Sequence, residues 1–326
     1  MFAIRQYEFG PAENLRYEEV ADPETRPGTV RISVRAAGVH LVDTKIRQGG
    51  AGGPFALPEL PMTPGREVAG VVDAVGDGVD PSWVGKRVVA HLGMASGGYA
   101  EKAVRELEHV HEIPADLSYE AAVAMIGTGR TTMGILEAAA LTADDVVIVT
   151  AAAGGIGNLL IQEARHVGAT SVGLAGGPAK VELVRGLGAD VAVDYTLPDW
   201  EDEVRRGLAG REPTVLLDGV GGDAGNRALK LLAQGGRIIM FGWSGGGPLE
   251  ITTEVLYAGG LTASFGIGPR VNRPGGMRPF EEAAMRAAAT GRLVPLISEP
   301  FALKDAAAAH TALENRATTG KVVLIP

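Results

Sequence analysis

The chain has 326 residues, enough for about two domains of ordinary size, and its 46% hydrophobic and 21% charged residues are those of a folded globular protein. It contains no cysteine, which excludes disulfides, thiolate-held zinc, iron–sulfur clusters and a cysteine nucleophile. A net charge of −9 argues against nucleic acid as a partner. With no apolar run approaching about 20 residues and no signal-type start, the expectation is a cytoplasmic protein that does not engage a membrane.

The first third predicts short strands at 29–39, 66–76 and 86–92, runs rich in Val and Ala and bounded by Gly, Pro and Asp. Residues 48–65 are too rich in Gly and Pro for a helix or a central strand, and read as a long functional loop. From Ser118 the texture changes: 118–140 carries helix formers with apolar residues at helical spacing, and VVIVT (146–150) reads as a buried parallel strand. Strand and helix then alternate through SVGLAG, DVAVDY, TVLLDGVG, RIIMFG and LTASFG. This pattern predicts a doubly wound parallel sheet with right-handed crossovers. After a second Gly/Pro-rich loop, 268–279, come two helical stretches and a terminal strand, KVVLIP, with no helix behind it. That strand returns the chain to its first domain. The expected division is therefore 1–118 plus 266–326 around an inserted α/β domain at 119–265.

Directly after VVIVT, Ala152-x-Gly154-x-x-Gly157 is a relaxed G-x-G-x-x-G. Such a turn leaves the strand sharply, brings bare backbone to a pyrophosphate and points a helix N-terminus at it. The alternative is a plain strand-to-helix turn, but the strand–turn–helix setting favours a dinucleotide. The acidic residue that would receive an NAD ribose is missing from 170–181, and Lys180 is the first titratable group there. A 2′-phosphate would meet no repulsion and one counter-charge, which favours NADPH. Alternatively Lys180 is a solvated residue at a helix start.

Taken with AAGVHLVDTKIRQGG, LPMTPGREVAGVVDAVGDGV, GGYAEKAV, LLDGVGG, GGRIIMFGWSGG and the C-terminal stretch FALKDAAAAHTALENRATTGKVVLIP, the chain resembles the zinc-independent medium-chain dehydrogenase/reductases of the quinone oxidoreductase (zeta-crystallin-like) family. The resemblance implies a GroES-like catalytic domain with an inserted Rossmann domain, an active site in the cleft between them, and a homodimer. It also implies NADPH-dependent reduction of a small molecule, a quinone or an activated C=C bond. On the residues, it assigns Ala153, Gly154, Gly155, Ile156 and Gly157 to the pyrophosphate and Lys180, Tyr195 and Arg316 to the 2′-phosphate. Thr131, Phe241, Gly242, Ser244 and Phe265 fall to the nicotinamide side.

The departures carry information too. Zinc-dependent relatives have a Cys in the stretch equivalent to AAGVHLVD and a His in Gly-His-Glu; this chain has His40 and Gly65-Arg66-Glu67, and an arginine cannot ligate zinc. His109 and His111 share a strand face in this reading, without a third ligand nearby. Quinone reductases carry Asn at the position of His40 and Tyr at that of Lys45, both near the expected substrate. His40 then either hydrogen-bonds a substrate carbonyl or relays a proton, or is a structural histidine. Lys45 is alternatively a solvated residue; losing the aromatic there weighs against a flat quinone and leaves enones, alkenals or an enoyl thioester open. A redox-silent NADPH-binding protein is the alternative of a different class.

Overall fold

The computed structural model describes residues 1–50, 57–93, 97–268 and 274–326. The chain forms two compact units, Met1–Gly127 with Leu296–Pro326, and Thr128–Pro295.

The first unit is mostly β. β1 (Phe2–Gln6) and β2 (Leu15–Glu19) make an antiparallel pair. β3 (Thr29–Val39) is the long central strand, followed by helix α1 (Leu41–Arg47). β4 (Glu67–Val75), β5 (Arg87–His91), β6 (Lys102–Glu106) and β7 (Val110–Glu112) continue the sheet antiparallel. Helix α2 (Tyr119–Ala124) packs on β3 and β4, with the Ser118 hydroxyl accepting from the Ala121 N–H. Val30, Ile32 and Val34 alternate into one core with Val68, Val72, Val88 and Tyr99.

The second unit opens with α3 (Arg130–Ala139), then alternates: β8 (Val146–Val149), α4 (Gly155–Val167), β9 (Thr170–Ala175), α5 (Pro178–Gly186), β10 (Val191–Asp194), α6 (Trp200–Leu208), β11 (Val215–Asp218), α7 (Gly222–Leu229), β12 (Arg237–Met240), α8 (Thr253–Gly259) and β13 (Thr262–Phe265). All pairings are parallel, in the order β10-β9-β8-β11-β12-β13. That is the dinucleotide-binding order with its switch point between β8 and β11. β8 shows why its sequence is continuously apolar: Val147 and Val149 pack into one core with Leu160 and Ile161, Val146 and Ile148 into another with Trp200 and Val204. Helix α9 (Arg278–Ala289) packs on α3. The chain then re-enters the first unit with β14 (Phe301–Ala302), α10 (Ala306–Glu314) and β15 (Val322–Ile325), which pairs antiparallel with β3 at Val322 and Val39.

Several details differ from expectation. The units change at 127/128 and 295/296, not at 118/119 and 265/266, because α2 packs on the β sheet and α9 on α3. The stretch 118–140 is two helices joined by a π-turn at Met125–Gly129. His109 sits exposed in a 3-10 turn (Leu107–His109) while His111 lies buried on β7, so the two do not share a strand face. β1, β2, β6, β7 and the two-residue β14 carry too little alternation to announce themselves. Parts of both Gly/Pro-rich loops, 51–56 and 269–273, lie outside the described residues. Among the described residues no helix is long and apolar enough to cross a membrane.

Candidate functional site

The turn after β8 is built from backbone. Ala151 takes φ 49°, and the Ala152 N–H donates to the Leu174 carbonyl at 2.9 Å, tying the turn to β9. Gly154 is the N-cap of the 13-residue α4. The Asn158 amide donates to the carbonyls of Gly154 and Gly155, both at 2.7 Å, fixing the first turn. A Cβ on Gly157 would stand 2.3 Å from the Ala151 carbonyl oxygen, so only glycine lets helix and turn approach this closely. Ala153 is buried, whereas Gly154, Gly155 and Ile156 stay partly exposed and present main chain. The N–H groups of that first turn have no intrahelical acceptors and sit at the positive end of the helix. This cradle fits a pyrophosphate.

Lys180 lies in the first turn of α5, just past the Gly176–Gly177 bend at the end of β9. Tyr195 follows β10; its N–H donates to the Ala175 carbonyl at 3.1 Å, and its hydroxyl hangs 3.4 Å from where a Gly176 Cβ would be. The fold thus brings Lys180 and Tyr195 to one bend, from positions 15 residues apart in sequence. Sequence reasoning missed Asp194 beside them. Its Oδ1 accepts from the N–H groups of Gly177 and Thr196, both at 3.0 Å, and from the Thr196 hydroxyl at 2.6 Å. Burial opposes its ionisation, yet those bonds hold its carboxyl below the usual value.

At the switch point Thr150 and Asp218 join β8 to β11: the Thr150 hydroxyl donates to Asp218 Oδ1 at 2.8 Å, and the Gly221 N–H donates to Oδ2 at 2.9 Å. Asp218 is fully buried, and burial pushes its carboxyl up despite these bonds. The pair shapes loop 219–221, against which the segment after β12 is laid. The Phe241 N–H donates to the Asp218 carbonyl at 2.8 Å, and Ser244 donates twice to the Gly219 carbonyl, from N–H and hydroxyl, each at 3.1 Å. A Cβ on Gly242 would stand 3.1 Å from that same carbonyl. Phe265 closes β13 beside β12, and the Gly266 N–H donates to the Met240 carbonyl at 2.8 Å. Thr131 lies half-buried in the first turn of α3.

The remaining site residues belong to the first unit. Arg316 is exposed after α10 with φ 54°, and Lys45 is exposed on α1. His40 is the N-cap of α1, and its N–H donates to Asp43 Oδ2 at 2.8 Å in a reciprocal capping box. Its ring does not point away from the protein. His40 Nε2 lies 2.6 Å from Glu67 Oε1 and 2.9 Å from Lys321 Nζ, which itself donates to Glu67 Oε2 at 2.7 Å. Glu67 is wholly buried and Lys321 is 4% exposed. Room for the carboxylate comes from two glycines: a Cβ on Gly38 would stand 2.2 Å from Glu67 Oε2, and one on Gly127 would stand 1.3 Å from Oε1. Burial alone would raise the Glu67 carboxyl, but His40 and Lys321 hold it well below the usual range. Burial lowers His40, opposed by Glu67 and reinforced by Lys321.

Asp43 extends this centre. It accepts from Arg66 Nε at 3.2 Å and from the Tyr99 hydroxyl at 3.3 Å, and that hydroxyl lies 3.0 Å from His310 Nε2. The Arg66 guanidinium thus serves Asp43 where zinc-dependent relatives have a metal ligand. Among the described residues no group of three or more His, Asp or Glu side chains could hold a metal ion. Glu67, Lys321, Asp43 and Tyr99 were not singled out from sequence; the one available signal was a lysine heading the otherwise apolar run KVVLIP.

Comparison with known proteins agrees with both units. Residues 26–115 match the alcohol dehydrogenase GroES-like domain and 155–275 the family described as zinc-binding dehydrogenase. A 2-haloacrylate reductase of a Burkholderia species is 30% identical over 332 residues, covering 100% of this chain and 99% of that protein. A quinone oxidoreductase of Pseudomonas aeruginosa is 31% identical over 321 residues, covering 98% and 97%. The crystal structure of Escherichia coli quinone oxidoreductase complexed with NADPH superposes with a TM-score of 0.88 at 28% identity, covering 100% of both chains.

Proposed function

The chain belongs to the quinone oxidoreductase family of the medium-chain dehydrogenase/reductases, and on that premise we propose that it reduces a quinone or the activated C=C bond of a conjugated carbonyl with NADPH. The observation that carries this reading is the bare-backbone cradle of Gly154–Gly157 at the switch point, with Lys180 and Tyr195 on one neighbouring bend. NADPH, when bound, supplies the hydride. In this reading the α4 N-terminus holds the pyrophosphate, and Lys180, Tyr195 and Arg316 receive the 2′-phosphate. Thr131, Phe241, Gly242, Ser244 and Phe265 border the nicotinamide, positioned in part by the Thr150–Asp218 pair.

On the substrate side we place His40 and Lys45. An exposed lysine on α1 offers a counter-charge to an acidic acceptor, such as the substrate class named for the 2-haloacrylate reductase. With Nε2 turned toward Glu67 and Lys321, His40 is held as a fixed ring, and the proton that completes the reduction comes from solvent. We further propose a cytoplasmic homodimer joined along β13, an edge strand left open beside the exposed Tyr257.

NADPH oxidation followed by absorbance across quinones, enones, alkenals and 2-haloacrylates tests the reading. Turnover of at least one class is expected. Quenching of protein fluorescence by NADPH with no consumption against any acceptor would instead establish the redox-silent binder.

A further inference from the structure

The buried triad His40–Glu67–Lys321 has one anion for two basic side chains, all within 2.6–2.9 Å of one another. A buried carboxylate neutralises one buried cation, and a second would stand uncompensated. Lys321 is the stronger base and takes that place. An imidazolium at His40 would then set a second positive charge 2.9 Å from Nζ. Neighbouring groups add smaller contributions: Asp43 favours the charged forms of His40 and Lys321, and His91 favours the ionised Glu67. Asp43, on α1, is engaged by Arg66, by Tyr99 and by the His40 N–H. His91, on β5, faces Glu67 across the β4–β5 ladder, and its Nδ1 accepts from the Gly93 N–H.

We propose that Lys321 is a positioning residue of the site: by claiming the charge of Glu67, it keeps the His40 ring turned inward and neutral, so that His40 is a fixed wall and not an acid. Removing the lysine charge reverses the arrangement. Glu67 then has His40 as its nearest cation source, and the imidazole becomes protonated near neutral pH.

The test is nitrogen-15 imidazole NMR of the full chain from pH 5.5 to 8.5, with His40 assigned by His40→Gln. The wild type is expected to show a neutral ring at His40 throughout. In Lys321→Met the same ring should titrate with a midpoint above about 6.5, the ordinary histidine value, and Lys321→Arg should restore the neutral ring. A wild-type His40 that titrates at the ordinary value overturns the proposal whether or not the methionine variant folds. So does a Lys321→Met protein whose His40 behaves as in the wild type. In kinetics, kcat/KM should be flat between pH 6 and 8 in the wild type and acquire a limb in Lys321→Met. This arm rests on the substrate placement proposed above, whereas the NMR arm does not. A protein inactive toward every acceptor, with His40 neutral as described, would defeat the proposed function and leave this inference standing.

Discussion

The two units solve the problem of holding charge by opposite means. In the α/β unit the cradle is main chain: glycines, N–H groups and a helix end, with side chains such as Asn158 and Asp194 used to fix the backbone. In the β unit the centre is side chain: Glu67, Lys321, Asp43 and His310 are drawn into the interior, with the partly exposed Arg66 at Asp43, and must balance one another there. A backbone site tolerates little change of shape but is indifferent to pH, because amides do not titrate. A side-chain site is sensitive in charge, so errors there should appear first as lost stability.

The largest effect expected from this contrast is at Glu67. Glu67→Gln keeps the shape but strands Lys321 as a buried cation, which should cost about 3–5 kcal/mol in urea unfolding; a loss below about 1 kcal/mol, the scale of an exposed pair, would break the comparison. Next comes His310, fully buried, whose pKa burial lowers from 6.5 to about 4, with Asp43 opposing and Arg47 reinforcing. Between those values the unfolded chain binds a proton that the native one refuses. Stability should therefore fall as pH drops from about 6.5 to 4, by about 3 kcal/mol from this residue. In His310→Phe, which keeps a ring against Tyr99, unfolding at pH 4.5 and 7 should differ less by most of that amount.

The backbone site should fail differently. Gly157→Ala forces a methyl to within 2.3 Å of the Ala151 carbonyl and should weaken NADPH binding about a hundredfold, about 2.7 kcal/mol, with no change in the pH dependence of stability. Calorimetric titration checks this. Smallest is Lys180→Ala, expected to raise the KM for NADPH about tenfold, about 1.4 kcal/mol, while leaving NADH unchanged. An equal rise for both cofactors would remove Lys180 from the 2′-phosphate and sharpen the site to Tyr195 and Arg316.

How far the sequence could be read follows the same division. The α/β unit was legible because its periodicity is strong and its glycine turn is local: VVIVT, Gly154 and Gly157 lie within twelve residues of one another. The return of the terminal strand to the β unit was legible from topology alone; its pairing with β3 was not. Nor was the unit's polar centre, because His40, Glu67, Tyr99, His310 and Lys321 are brought together by pairing of distant strands and helices, and no spacing records that. Nor does an isolated histidine in sequence tell whether its nitrogens face inward. Asp194 escaped for a related reason: it sits one strand beyond the position where a ribose carboxylate is sought, and the fold folds it back onto Gly177.

The two bare positions around Glu67 have a consequence for how such a chain can change over generations. As long as the carboxylate is present, any side chain at 38 or 127 collides with it, so both positions call for glycine. Once a lineage trades Glu67 for a smaller residue, the vacated space lets Gly127 drift to alanine, whereas a Cβ on Gly38 would still stand 2.9 Å from Lys321 Cε. From then on the original carboxylate can no longer be regained by a single substitution. The order of mutations works as a ratchet, and descendants that kept the charged interior should be those in which Gly127 was never lost.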